Sequence, residues 1–430
     1  MAQAYFEEGM RDVGVFSLFV RRLPARRNYL VACGLDDVLA MLEALRFDAA
    51  ALAYLESLGR FSTRFLQHLE ALRFTGDVYA VAEGTPVFAG EPILEVEAPI
   101  AEAQLVETIV MNQIHLQTLL ASKASRIVGA AGGREVVDFG LRRMHGIDAG
   151  LKAARAFHIA GVAATSNVAA GQAYGVRLAG TMAHSYIQAH DDEREALGAF
   201  ARLYGDTVLL VDTYDTLAAV RKIVDLARSA HSDFRVSAIR LDSGDLARLA
   251  AASRRILDEG GLQTVRIFAS GNLEEDEIAR LLAGGAPIDG FGVGSEMGVS
   301  ADAPTLDIVY KLVEYAGRAR VKLSAGKSVL PGRKQIFRVE ENGRADHDVL
   351  GRRDEPPAGR PLLERVMAGG RRVGRLTTID DARELAKREL ARLPARVRAL
   401  EPAEPRYWVD TSAALARDRE KWQTQDAERF

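Results

Sequence analysis

The chain has 430 residues, 48% of them hydrophobic, with 56 Lys+Arg against 59 Asp+Glu for a formal charge of −3, and a single cysteine. That length allows about two or three domains with a sizeable core, and the near-neutral balance, without blocks of about five or six like charges, argues against a nucleic-acid-binding surface. Cys33 by itself excludes an internal disulfide and a multi-Cys zinc site, and in Ala-Cys-Gly-Leu it reads as buried packing.

Glu7, Glu8 and Arg11 interrupt the start, where a secretory signal needs a continuous apolar stretch. Arg, Asp or Glu break every apolar run short of the roughly 18–20 residues that span a bilayer. A soluble protein of a reducing compartment, the cytoplasm, is expected. With 13 Pro, 38 Gly and no low-complexity tract, no long disordered linker is expected either. Leu35, Val38, Leu39, Leu42 and Leu45 recur at helical spacing and predict a helix over 35–57. From Val78 to Glu97, three short β-type runs are separated by Glu83-Gly84-Thr85-Pro86 and Gly90-Glu91-Pro92, which predicts a compact antiparallel unit. Residues 102–130 carry few breakers and predict one long helix.

Seven short apolar runs follow: Val136–Asp138, Val162–Ala164, Val176–Leu178, Val208–Val211, Val236–Leu241, Val265–Phe268 and Ile288–Phe291. Most lead into a helical stretch, near 149–160, 191–204, up to 229, up to 259 and up to 283, and strand–helix alternation predicts a parallel sheet. A cluster of Gly, Ser, Thr, Asp, Asn, His or Arg stands just after each run. A doubly wound sheet concentrates such residues at one switch point, whereas a (β/α) barrel gathers all its strand ends at one mouth. Polar residues after all seven runs favour an irregular (β/α) barrel. Beyond about 305 the β pattern returns, with Val321–Ser324, Gln335–Val339 and the turn pair Asn342-Gly343 reading as hairpins. A terminal helix is predicted over 379–398. The expected domains are 1–105, 106–305 as the barrel, and 306–430, with the two ends of an α/β chain forming one mixed, β-rich domain.

His184 sits in Gly-Thr-Met-Ala-His-Ser after the third run, among small residues that let a ligand approach the backbone. Asp212 with Asp215, and Asp242 with Asp245, form strand-end pairs suited to Mg²⁺, a sugar diol or a cationic transition state. Helix capping is the competing explanation for one member of each pair, Asp215 and either Ser243 or Asp245, leaving Asp212 and Asp242 for chemistry. Ser270-Gly271-Asn272 and Gly292-Val293-Gly294-Ser295 offer unobstructed backbone N–H groups to a phosphate. Arg142, Arg143 and Arg240 suit a carboxylate or phosphate, with a structural salt bridge as the alternative for at least one. Lys311, Glu314 and Lys322 read as structural or solvated charges. The residues alone thus describe an enzyme mouth of mixed sign, fitted to a phosphorylated sugar.

The runs Asp138-Phe139-Gly140-Leu141-Arg142-Arg143, Ala164-Thr165-Ser166-Asn167-Val168, Gly180 to Ser185, Val211 to Thr216, Arg240-Leu241-Asp242-Ser243-Gly244-Asp245, Gly292 to Ser295, Val309 to Glu314 and Lys322 to Arg338 closely resemble nicotinate phosphoribosyltransferases, over essentially the whole chain. The resemblance implies a type II phosphoribosyltransferase, a homodimer with shared active sites. Such an enzyme joins nicotinate to phosphoribosyl pyrophosphate with Mg²⁺, in NAD salvage. It implies that His184 is phosphorylated by ATP, a co-substrate whose hydrolysis is coupled to synthesis. It also implies that Phe139 stacks on the pyridine ring and that Arg240 and Thr181 contact nicotinate. Ser166 then stands where the nicotinamide enzyme has an Asp that would repel a nicotinate anion. Arg142 would face the nucleotide phosphate, Asp242 the ribose hydroxyls, and Gly292, Gly294 and Ser295 the 5′-phosphate, while Gly271 joins the phosphoribosyl-binding set on its unobstructed backbone N–H. Asp212 and Asp242 would stabilise the reacting centre, with Mg²⁺ carried mainly by pyrophosphate.

Family members begin a few residues earlier, with an Asp-Leu-Tyr type run whose Tyr closes the second face of the nicotinate sandwich from the partner subunit. This sequence starts just after that run, and Tyr5 does not match the Tyr. The rivals are a nicotinamide or quinolinate enzyme, disfavoured by Ser166 and by the His184 run respectively, and a non-catalytic nucleotide-binding relative with an impaired base pocket. A barrel lyase would need a strand-end Schiff-base Lys, which none of the seven clusters contains.

Overall fold

A mostly apolar run near the start, Val13–Val20, has seven of its eight residues buried. A strand covered on both faces shows no in–out alternation, and this one is not among the expected strands. In the computed structural model, which describes residues 1–229, 235–321, 329–375 and 377–427, this strand organises the first of two compact units, Met1–Ser122 with Thr305–Phe430. It pairs antiparallel with Ile308–Tyr315 on one side and Pro92–Pro99 on the other. Both chain ends therefore enter one sheet. Among the described residues that sheet has seven strands, continuing through Asp77–Val81 and Leu363–Ala368. A second sheet contains the hairpin Lys334–Glu341 and Arg344–Arg352. Its turn residues, Asn342 and Gly343, both have positive φ, 50° and 76°, as the expected tight hairpin requires. The α/β class and the β-rich domain built from both ends are as expected.

Three long helices of the sequence reading are each broken. The one over 35–57 splits into Leu35–Glu43 and Ala49–Ser57, because the Asp48 carboxylate accepts the Ala51 N–H at 2.8 Å and starts a new helix. The one over 102–130 becomes Ile100–Leu105 and Glu107–Ala130. The terminal one stops at Arg392, ahead of Pro394, and resumes as Ala395–Arg398. The expected strand at Val321–Ser324 lies, from Lys322 on, outside the described residues. Cys33 is buried, as expected, and among the described residues no helix is long and apolar enough to cross a membrane.

The second unit is Lys123–Pro304. Its strands are β1 (Glu135–Asp138), β2 (Ala164–Thr165), β3 (Thr207–Leu210), β4 (Val236–Leu241), β5 (Arg266–Ser270) and β6 (Gly290–Val293). They lie in the order β2-β1-β6-β5-β4-β3, all parallel. That is the order of a barrel opened at one seam, between β2 and β3. The expected strand at Val176–Leu178 falls in this seam and shrinks to a single bridge, Leu178 to Thr165. Helices follow the strands at Ile147–Ala160, Thr216–Ser229, Leu246–Glu259 and Glu275–Ala283. The loops after the strands thus gather at the C-terminal edge of this curled half-barrel. Val137, Ala164, Ala238 and Phe268 fill its concave side.

In the first unit a fully buried Glu91 stands beside Asp348, which is held by Arg338 at 3.0 and 2.7 Å and by the Tyr407 hydroxyl at 3.0 Å. Burial first, and the Asp348 charge second, push the Glu91 carboxyl well above its ordinary value of 4.5. The folded state therefore keeps a proton that the unfolded state loses, and stability falls as pH rises from 4.5 through the raised pKa. Glu91→Gln is expected to remove that slope and to stabilise the protein at pH 8 by about 1–3 kcal/mol, measured by urea unfolding of both proteins at pH 5 and pH 8.

Candidate active site

Side chains along a strand alternate faces. On β4, Ile239 and Leu241 are fully buried, while Ala238 faces the concave side and Arg240 falls on the same face. The strand ends there, so Arg240 and the next in phase, Asp242, reach the mouth. Arg240 Nε donates to the Ser270 hydroxyl at 3.0 Å, and its Nη2 donates to Asp242 Oδ1 at 3.2 Å. The Ser270 hydroxyl in turn donates to the same Asp242 oxygen at 2.5 Å. The other Asp242 oxygen stands 3.9 Å from His184 Nε2, and His184 Nδ1 is 3.1 Å from the Thr213 hydroxyl. Partial burial would raise the Asp242 carboxyl. The Ser270 hydroxyl, the Arg240 guanidinium and His184 outweigh it and hold the group below the usual carboxylate range.

Asp212, just past β3, accepts the Asp242 N–H at 3.0 Å and the Ser243 hydroxyl at 2.6 Å on one oxygen. Its other oxygen is buried and has no hydrogen-bond partner among the described residues. Asp215 and Asp245 do cap helices, accepting the Ala218 N–H at 2.7 Å and the Arg248 N–H at 3.1 Å. The capping explanation thus takes those two and leaves Asp212 and Asp242 joined to each other.

On the opposite side of Arg240 its guanidinium lies 5.6 Å from the centre of the Phe139 ring. Phe139 follows β1, and its ring occupies the space above Gly292, where a Cβ would come within 2.5 Å of it. Phe139, Thr181, Arg240, Ser270 and Gly292 line one cavity of about 180 Å³. Thr181 is fixed across the open seam, its hydroxyl donating to the Val208 carbonyl at 2.8 Å. At the N-terminal edge of the strands Glu135, Arg177 and Arg266 line the same cavity, Glu135 being ion-paired with both arginines. Gly271 belongs to a second space of about 660 Å³, with Gly244, Asp245, Asn272 and Glu296. It has φ +93°, and a Cβ there would stand 2.0 Å from the Asp242 carbonyl oxygen.

Ser166, Arg142, Gly294 and Ser295 line neither space. Ser166 and Arg142 are exposed, the former bonded through its N–H to the Asp138 carbonyl at 2.9 Å and the latter on the turn Leu141–Arg143. Ser295 opens the short helix Ser295–Gly298, with Gly294 at its start. Among the charges read as structural, Glu314 is paired with Arg333 at 3.2 Å. Two side chains of the network were not foreseen. Ser270 was read for its backbone alone, although a hydroxyl one position ahead of a glycine at a strand end is a donor signal. Thr213 lies between two aspartates that drew the attention instead.

A parallel α/β half-barrel whose strand ends converge on an arginine, two carboxylates and a histidine has the architecture of an enzyme mouth. Residues 1–115 match the family described as nicotinate phosphoribosyltransferase (NAPRTase) N-terminal domain, and residues 134–336 match the nicotinate phosphoribosyltransferase (NAPRTase) family. The chain is 53% identical over 413 residues to nicotinate phosphoribosyltransferase pncB2 of Mycobacterium tuberculosis, covering 96% of this chain and 89% of that one. It is 40% identical to nicotinate phosphoribosyltransferase of Bacillus subtilis, covering 83% and 74%. The crystal structure of human nicotinic acid phosphoribosyltransferase superposes with a TM-score of 0.87 at 28% identity, covering 98% of both chains. The chain belongs to the nicotinate phosphoribosyltransferase family.

The left-handed Gly271 and the open left-handed Gly285, with φ +73° and no atom within 4 Å of a Cβ, separate two costs. Gly285→Ala is expected to lose about 1 kcal/mol from backbone strain alone. Gly271→Ala, which must also displace the Asp242 carbonyl, is expected to lose about 2–4 kcal/mol, both read by urea unfolding.

Proposed function

We propose that the chain transfers the phosphoribosyl group of phosphoribosyl pyrophosphate to nicotinate, releasing nicotinate mononucleotide and pyrophosphate, in NAD salvage. The reading is supported by family membership. The observation that carries it is the continuous chain Phe139, Arg240, Ser270, Asp242, His184 and Thr213, which joins an aromatic face, a fixed cation, a fixed anion and a nucleophilic ring. Phe139 stacks on the pyridine, and Arg240 with Thr181 holds its carboxylate. Ser166 presents a neutral hydroxyl, so no carboxylate at that position repels the substrate anion. Gly271, Gly292, Gly294 and Ser295 offer backbone N–H groups to the 5′-phosphate, and Arg142 adds a cation at the phosphate end.

As the bond from the anomeric carbon to pyrophosphate breaks, its electron pair leaves with the pyrophosphate. The pyridine nitrogen lone pair forms the new bond to that carbon without a general base. Asp242, held ionised by Arg240 and Ser270, faces the oxocarbenium-like centre and the ribose hydroxyls, with Asp212 behind it. Among the described residues no three His, Cys, Asp or Glu gather as a metal-holding group. The orphaned Asp212 oxygen and Asp242 nevertheless fit a hard cation that brings its other ligands with pyrophosphate and water. Asp212 and Asp242 would hold such a cation, and Mg²⁺ bound there would supply positive charge to balance the departing pyrophosphate.

His184 takes the γ-phosphoryl group of ATP, releasing ADP. Thr213 on Nδ1 leaves Nε2, beside Asp242, as the attacking nitrogen. Hydrolysis of the phosphohistidine is then coupled to mononucleotide synthesis. The working unit is a cytoplasmic homodimer with shared active sites.

Incubation with nicotinate, phosphoribosyl pyrophosphate and Mg²⁺, with and without ATP, is expected to yield nicotinate mononucleotide in both cases, and more with ATP. His184→Ala is expected to abolish the ATP-dependent gain and ADP release while keeping basal synthesis. Absence of mononucleotide under every condition would overturn the reading. Ser270→Ala, which removes one hydrogen bond from each of Arg240 and Asp242 while their direct bond remains, is expected to lower kcat/KM by roughly 10- to 100-fold, measured by the same product assay.

A further inference from the structure

On the reading above, two loops receive the phosphoribosyl group: Ser270-Gly271-Asn272 after β5 and Gly292–Ser295 after β6. Neither run contains a Lys or Arg. Within these two loops the holding falls to backbone N–H groups, beside the cation of Arg142, and their value depends on where the loops sit. Close behind each loop stands a buried carboxylate. Glu275 is the first residue of the helix Glu275–Ala283 that leaves the β5 loop, and its helix start has no side-chain cap. Asp302 follows the β6 loop through a tightly bonded segment, in which the Val299 N–H reaches the Ser295 carbonyl at 3.0 Å and the Ala301 N–H reaches the Glu296 carbonyl at 3.1 Å.

Both carboxylates meet one ammonium. Lys123 Nζ is 2.6 Å from Glu275 Oε2 and 3.1 Å from Asp302 Oδ1, with the side chains of Lys123 and Glu275 fully buried and that of Asp302 3% exposed. Arg126, three residues on in the helix Glu107–Ala130, donates to the other Glu275 oxygen at 3.0 Å. Burial would raise the Glu275 carboxyl, but Lys123 and Arg126 outweigh it and keep it ionised. Such a cluster is a poor way to gain stability, because desolvation offsets most of the attraction and apolar packing would serve as well. What it does supply is direction: short charged bonds from a single point to the roots of two separate loops.

We infer that Lys123 is a positioning residue for phosphoribosyl recognition, setting the spacing of the β5 and β6 loops through Glu275 and Asp302. The inference rests on the proposed function for the identity of the ligand. The test measures calorimetric binding of phosphoribosyl pyrophosphate with Mg²⁺, and separately of nicotinate, to the full-length wild type, Asp302→Asn and Lys123→Met, with product formation followed in parallel. Asp302→Asn removes one charged tie and keeps an isosteric side chain. It is expected to weaken phosphoribosyl pyrophosphate binding about tenfold while nicotinate binding stays within about twofold, and Lys123→Met to widen that split further. If Lys123→Met does not fold, Asp302→Asn decides.

Equal loss for both ligands would make the cluster merely structural and overturn the inference. Unchanged phosphoribosyl pyrophosphate binding in Asp302→Asn would overturn it too. A wild type that binds phosphoribosyl pyrophosphate but forms no mononucleotide overturns the proposed function alone, and the ratio of affinities still decides the role of Lys123. A wild type that does not bind phosphoribosyl pyrophosphate overturns both.

Discussion

The guanidinium of Arg240 is the contact on which the rest of the mouth depends. It sits at the end of a strand and has carboxylate, hydroxyl and aromatic neighbours within reach. A partly buried charge is tolerated only when its partners are fixed. Asp242 and Ser270 are those partners, and each is also bonded to the other. This pairing helps hold the Asp242 carboxyl below the usual carboxylate range, and His184 stands beside the oxygen that the pairing leaves open. Two glycines make the arrangement sterically possible: Gly271 lets its loop approach the Asp242 carbonyl, and Gly292 leaves room for the Phe139 ring.

The parallel sheet explains why such groups meet at all. Strands β1, β6, β5, β4 and β3 lie side by side and end at one edge, so residues far apart in the chain become neighbours with no loop reaching across the core. The open seam between β2 and β3 is part of the design. A full strand there would bury its polar backbone in a ladder. Instead the segment from Val176 makes one bridge to Thr165 and then sends the Thr181 hydroxyl to the Val208 carbonyl. The seam segment can therefore place Thr181 in the cavity and His184 beyond it.

The first unit obeys a different constraint. Its central strand, Val13–Val20, needs a hydrogen-bonded neighbour on each side and apolar cover on both faces. One neighbour comes from residues before 100 and the other from residues after 300. Joining the ends in this way leaves the intervening chain to fold as a unit of its own, which is how a barrel comes to be inserted within a β-rich domain. The unit also tolerates a costly feature, Glu91 against Asp348, for which the ordered Arg338 and Tyr407 contacts are the compensation.

Much of this was legible in the residues themselves. Strand-to-helix alternation, the polar clusters after each strand and the tight Asn342-Gly343 hairpin are local signals, since each depends on neighbours within a few positions. The capping roles of Asp215 and Asp245 are local too, because a cap reaches an N–H three residues ahead. The helix breaks at Asp48 and Pro394 are equally local, an N-cap carboxylate and a ring without an N–H, although the expected helices ran across both. Tertiary structure alone decided the rest. Thr213 meets His184 across 29 residues and Ser270 meets Asp242 across 28. The loss of the strand at Val176–Leu178 depended on whether the sheet closes, and the strand at Val13–Val20 on burial of both its faces. Sequence spacing determines which side chains a short element can present, whereas the partner of a side chain at a strand end is set by which strands lie beside it.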